Sequence, residues 1–161
     1  MKIKLLLSAI LCMAMVGCKT PTKVENVYAR VNFEVECLGV DHDGSQTLRS
    51  FGKGKNKAQA METARKNAVR AVLFKGITAG TSECNTRPII NVVNAEEKNE
   101  GYFNRFFSDG GAFEQYTSLI DEKRTSRIKS SDKALENWGI VVRVDRAGLK
   151  ERMIKDGIIN P

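Results

Sequence analysis

Histidine is almost missing from this chain: His42 is the only one, and it stands in the turn-forming run Asp41-His42-Asp43-Gly44. Ser-His or Cys-His catalysis would have to pass through that one side chain at a turn tip, a poor place for a general base. This argues against such hydrolases and leaves carboxylate and lysine mechanisms untouched. Asp41-His42-Asp43 also lacks the regular oxygen-ligand spacing and final Glu of a calcium loop, so it reads as a solvated hairpin turn, and no metal or cofactor is expected. Gly52-Lys53-Gly54-Lys55-Asn56-Lys57 lacks the Gly-Lys-Ser/Thr ending of a P-loop and has only two glycines of a dinucleotide fingerprint. Long apolar runs are lacking too. Leu5 to Val16 holds about 12 residues, too few to cross a hydrocarbon core of about 30 Å. No internal repeat or low-complexity block interrupts the chain.

What the N-terminus does contain is an export signal. Lys2 and Lys4 form a positive start, the apolar run follows, and Gly17 precedes Cys18. Residues 1–17 are therefore expected to be removed, residues 18–25 to form a short tether, and residues 26–161 to fold as one domain. Removal of 1–17 takes two of the 26 basic side chains and leaves 24 against 19 acidic ones, a net charge of +5. That excess is scattered, and an exported location makes nucleic acid an unsuitable partner. Cys12 leaves with the signal, so Cys37 and Cys84 are the thiols of the folded part. An oxidising compartment permits a disulfide between them; two buried free cysteines are the other reading.

The stretch from Gly52 to Gly76 organises the rest. Asn56 is an N-cap, with Gln59 placed to reach back to its backbone N–H, and Gly76 suits a left-handed C-terminal position. Between them Ala60, Ala64, Ala68 and Val72 recur every four residues with Ala71 beside them, while Glu62, Arg65, Lys66 and Arg70 avoid that stripe. A face of alanines lets a helix axis approach a sheet closely. Before it, Val27, Ala29, Val31, Phe33, Val35 and Cys37 alternate with polar residues, which predicts a strand, and Thr47 to Phe51 returns as the second arm of a hairpin.

Downstream, Ile77 to Arg87 reads as a loop and Ile89 to Val93 as a short buried strand. Glu96-Glu97 and the aromatics Tyr102, Phe103, Phe106 and Phe107 mark a helix that Gly110-Gly111 breaks. Phe113, Tyr116 and Ile120 suit either a further helical turn or a strand entry, and the polar segment 123–133 either an edge strand or a loop. Ile140 to Val144 predicts a central strand buried on both faces, and Asp145 the cap of a final helix ended by Gly157. The fold class expected is α+β: two layers, a mainly antiparallel sheet of three to five strands with two or three helices packed on it.

Three resemblances bear on these readings. Met15-Val16-Gly17-Cys18 resembles the bacterial lipobox, departing at Met15 where leucine is preferred; the resemblance implies lipidation of Cys18. Phe51 to Ile77, with its Gly-x-Gly entry, alanines at spacing four and Phe74-Lys75-Gly76-Ile77 exit, resembles the helix of LPP20-type bacterial lipoproteins and of the N-terminal domain of flagellar assembly protein T. Tyr102 to Phe107 and Val141 to Ile159 resemble small lipoproteins of Bacteroidales. These likenesses imply a compact domain anchored in the outer membrane and taking part in envelope assemblies, and they bring no catalytic residues. Lys19 and the lack of an acidic run after Cys18 resemble neither an inner-membrane retention signal nor a surface-export tag, which implies a periplasm-facing position.

The sequence thus leads to a non-enzymatic outer-membrane lipoprotein, held in the membrane by lipid on Cys18, acting as an interaction or assembly module with an envelope protein partner. An accessory lipoprotein of a secretion machine, such as a type VI system, and a periplasmic binder of anionic glycan or lipid are the alternatives. Two surfaces are candidates for contact. Lys53, Lys55 and Lys57 crowd the positive end of a helix, where an anion or an acidic partner would offset them; a flexible, solvated entry is the plainer reading. Four aromatics at Tyr102, Phe103, Phe106 and Phe107 wrap beyond one helical face, which leaves at least one for solvent or a partner.

Overall fold

The structure, a computed structural model, describes residues 35–120, 125–128 and 134–161. The signal, Cys18, the tether and the first part of the alternating strand lie outside the described residues. So does most of the polar segment 123–133.

The fold is α+β, an open six-stranded sheet with helices packed against it. Strands β1 (Glu36–Val40) and β2 (Gln46–Gly54) form the expected hairpin, with a bulge between Cys37 and Gly39. Helix α1 (Lys57–Arg70) follows and passes into a π turn, Ala71–Lys75. Strand β3 is only Ala79–Gly80, parallel to β1. Helices α2 (Ala95–Lys98) and α3 (Glu100–Phe106) and a 3-10 turn (Ala112–Tyr116) lead to β4 (Thr117–Leu119). The last elements are β5 (Ser126–Ile128), β6 (Glu136–Val144) and helix α4 (Arg146–Lys155). The order is β3-β1-β2-β6-β4, and β5 also pairs with β6. Only β3 is parallel to its neighbour, so the sheet is mainly antiparallel, with one strand and one short helix more than expected.

The Gly-x-Gly before α1 is strand rather than flexible entry, and it explains how the helix seats. Gln46, Leu48, Ser50, Gly52 and Gly54 face α1 in turn, so the side chains shrink along β2 and the helix converges on the strand toward its own N-terminus. A Cβ on Gly52 would lie 2.2 Å from the Ala60 carbonyl oxygen and 2.3 Å from the Ala64 nitrogen. Ala60, Ala64, Ala68 and Val72 are fully buried, as the four-residue spacing predicts. Ser50 donates to the Ala64 carbonyl at 2.8 Å and Asn67 Nδ2 to the Phe51 carbonyl at 2.8 Å, which fixes the helix in register on the strand. On β6, Ile140, Val142 and Val144 face the same layer while Val141, on the other face, is 2% exposed, so this strand is buried on both sides.

The ends of α1 differ in detail from expectation. Asn56 Oδ1 accepts from the Gln59 N–H at 3.0 Å, but the Gln59 side chain returns to the Lys55 N–H, one residue before the cap. Gly76 has φ 77° and ψ 169°, an extended mirror-image conformation rather than the left-handed helical one, and one that glycine alone adopts readily. Ile89 to Val93 is not a strand. The Ile89 and Ile90 N–H groups instead bond the Val72 and Leu73 carbonyls, capping the π turn. Ile90 is buried by this, whereas Val92 and Val93 are exposed.

Candidate functional site

The disulfide is made. Cys37 Sγ and Cys84 Sγ are bonded at 2.01 Å, and the bond ties the centre of the β1–β3 edge to the loop after β3. Both residues are buried.

The aromatic run belongs to the core, which removes Phe103, Phe106 and Phe107 as a partner surface. Each is at most 5% exposed. Phe103 meets Phe74 of the π turn edge-on at 4.9 Å, and Phe107 packs on Phe113. The wrap beyond one helical face that the spacing implies is real, but the added faces meet α1 instead of solvent. The Arg70 guanidinium lies 4.1 Å from the Phe107 ring centre, and Lys66 and Arg65 stand over Phe113. Tyr102 alone of the four is half-exposed. Its hydroxyl donates to Asp156 Oδ2 at 2.6 Å, and Arg152 Nε donates to the same oxygen. Arg152, then Tyr102, hold the Asp156 carboxyl below the usual carboxylate range; burial, then Asp156, push the Tyr102 phenol up. Tyr102, Arg105, Phe106, Ala112, Arg152 and Asp156 line a shallow groove of about 430 Å³. The i,i+4 spacing of Arg152 and Asp156 was a visible signal; Tyr102, 54 residues away, gave none.

Asp41-His42-Asp43 is a structural turn. Asp41 Oδ2 accepts from Arg143 Nε at 2.7 Å and from the Thr47 hydroxyl, and Asp43 Oδ1 accepts from the Ser45 N–H. Arg143 holds the Asp41 carboxyl low, and the Ser45 backbone does the same for Asp43, so both are anionic at neutral pH. Among the described residues, no three of His, Cys, Asp and Glu converge on one point.

Lys53, Lys55 and Lys57 lie together at one end of the sheet, around the start of α1, and all three are exposed. Among the described residues no carboxylate pairs with any of them. Lys53, the last residue but one of β2, borders an open groove of about 510 Å³ with Gln59, Glu62, Lys66 and Asp109. The Lys66 ammonium is already taken by Asp109 at 2.6 Å and Glu62 at 3.8 Å. Lys57 opens α1, with its ammonium 4.8 Å from the centre of the Trp138 ring. Trp138 is half-exposed, and its Nε1 donates to Glu136, which also pairs with Arg127 of β5 at 3.7 Å. Trp138 as the floor of this basic end was not legible, because it depends on the pairing of Gly52 with Trp138 across β2 and β6.

Comparison with protein families, with curated proteins and with solved structures finds no match for this chain.

Proposed function

We propose that this protein is a non-enzymatic lipoprotein of the outer membrane, facing the periplasm and anchored through Cys18, whose α+β domain is an interaction module of the cell envelope. The observation that carries the reading is how the ionisable side chains are used. Glu36, Asp41, Glu96, Asp109 and Glu136 are each engaged by an arginine or lysine from another element, and Glu62 and Asp156 by one of their own helix. Carboxylates committed in this way hold the fold and are poorly placed to exchange protons with a substrate. The Cys37–Cys84 disulfide supports export, since such bonds persist in oxidising compartments. Crosslinking of envelopes at native expression, followed by purification of the chain, tests the module. Recovery of a reproducible partner is expected, and recovery of the monomer alone counts against it.

A second reading, binding of an anionic lipid or glycan, is favoured by the uncompensated charge at Lys53, Lys55 and Lys57. Seven cations of the described residues have a carboxylate within 4.0 Å; Lys53, Lys55 and Lys57 are among those that do not, and they stand together around one helix start.

A further inference from the structure

We propose that the end of the sheet carrying Lys53, Lys55, Lys57 and Trp138 rests on an anionic phospholipid surface, with the hairpin turn at 41–45 pointing away from it. The proposal rests on the anchored-lipoprotein reading for what brings the surface near, and on the geometry of the sheet for which end meets it.

Three observations converge. The first is charge. Gly54 pairs with Glu136 and Gln46 with Val144, so β2 and β6 share two ends separated by the nine-residue length of β2, about 27 Å. At one end stand three exposed lysines that no carboxylate among the described residues pairs, beside an Arg127–Glu136 pair that cancels. At the other, Asp41, Asp43 and Asp145 stand with Arg143 and Arg146, so that end has no such excess of positive charge. The separation exceeds a Debye length of about 8 Å at physiological salt, so each end meets a charged surface on its own terms. An anionic bilayer attracts the first end and not the second.

The second observation is where the chain enters. Glu36 opens β1 opposite Arg49, and the strand runs from there toward the turn at 41–45. The chain therefore comes into β1 from the side of β2 that leads to Gly54 and the lysines. A tether raises the local concentration of the surface most for the end at which it joins the domain.

The third is Trp138. An indole with one edge hydrogen-bonded and its ring partly exposed suits a membrane interface, and the Lys57 ammonium lies over that ring. The occupant implied is a flat anionic surface. The lysines sit on a strand end, a turn and a helix start, and the groove beside α1 takes in only Lys53 of the three.

Trp138 is the only tryptophan of the chain, so its fluorescence reports this end alone. The mature full chain, with the acylation state of Cys18 read by mass spectrometry, is mixed with vesicles of phosphatidylcholine alone or of equal parts phosphatidylcholine and phosphatidylglycerol, each carrying headgroup-spin-labelled lipid. Trp138 is expected to be quenched on the phosphatidylglycerol vesicles and not on the neutral ones, and the triple variant Lys53→Gln, Lys55→Gln, Lys57→Gln to lose that quenching. Equal quenching on both vesicles, no quenching of acylated protein, or an unaffected triple variant overturns the proposal. If Cys18 is unmodified, the anchor reading fails separately, and the face is then judged by vesicle sedimentation. Partition onto phosphatidylglycerol vesicles should fall on the order of a hundredfold in the triple variant, and an unchanged partition overturns the face as well.

Discussion

Replacing Gly52 with alanine tests the seating of α1 on β2. The new Cβ would lie 2.2 Å from the Ala60 oxygen, 2.3 Å from the Ala64 nitrogen and 2.9 Å from the Ala64 Cα, all of them backbone atoms that no rotamer change can move. Non-bonded heavy atoms rest about 3.5 Å apart, so the helix must retreat by roughly 1 Å. A gap of that size forfeits about a quarter to a half of each contact made by the alanine stripe, and overpacking of this kind costs ~3 kcal/mol, the upper end of its usual range. Gly101→Ala is the matched control. Gly101 lies inside α3, and its nearest neighbour to an added Cβ is the end of the Arg105 side chain at 3.8 Å. That substitution should stabilise by about 0.5–1 kcal/mol through lower unfolded-state entropy and better helix propensity. Urea denaturation followed by far-ultraviolet circular dichroism, at constant m, measures both. A Gly52→Ala stability within about 0.5 kcal/mol of the parent would refute the close-packing argument.

Two further outcomes follow from the same contacts. Removing the Cys37–Cys84 bond by the double substitution to alanine opens a closure of 47 residues and should lower stability by about 4 kcal/mol on the chain-entropy account; unchanged denaturation with and without reductant would contradict it. Asp156 has a folded pKa held below its unfolded value by Arg152 and Tyr102, so its contribution is present above the unfolded value, near 3.9, and is lost as pH falls through the folded one. Asp156→Asn should therefore flatten the acid limb of the stability-versus-pH curve and return the Tyr102 phenol toward its ordinary titration, both readable by ultraviolet absorbance and urea melts. An acid limb identical to that of the parent would show the carboxylate to be idle.

The parts of the fold legible in the sequence are those where one period dominates. Alanines at spacing four gave α1 and its buried face, and the β-branched run at 140–144 gave the central strand, because burial on that face or on both leaves no room for polar residues. Gly52 and Gly54 misled because glycine marks turns and close approaches alike, and only the helix lying over them tells which. Ile89 to Val93 misled because a short apolar run has no decisive period; here two of its N–H groups are spent on carbonyls of the π turn, which sequence does not announce. At the candidate surfaces, the count of aromatics implied a spare face, and the fold sets the Arg70 guanidinium against Phe107 there. The lysines were visible as charge, but their grouping with Trp138 depends on register between strands some eighty residues apart. The alanine stripe serves packing, and the lysine-rich strand end is what packing leaves unexplained.

Intact-mass spectrometry of the mature protein under non-reducing conditions tests the account most directly. A chain beginning at Cys18, bearing acyl groups there and two hydrogens short for the Cys37–Cys84 bond, is the predicted species. A chain with unmodified Cys18, or one cut elsewhere, would contradict the anchored envelope protein described above.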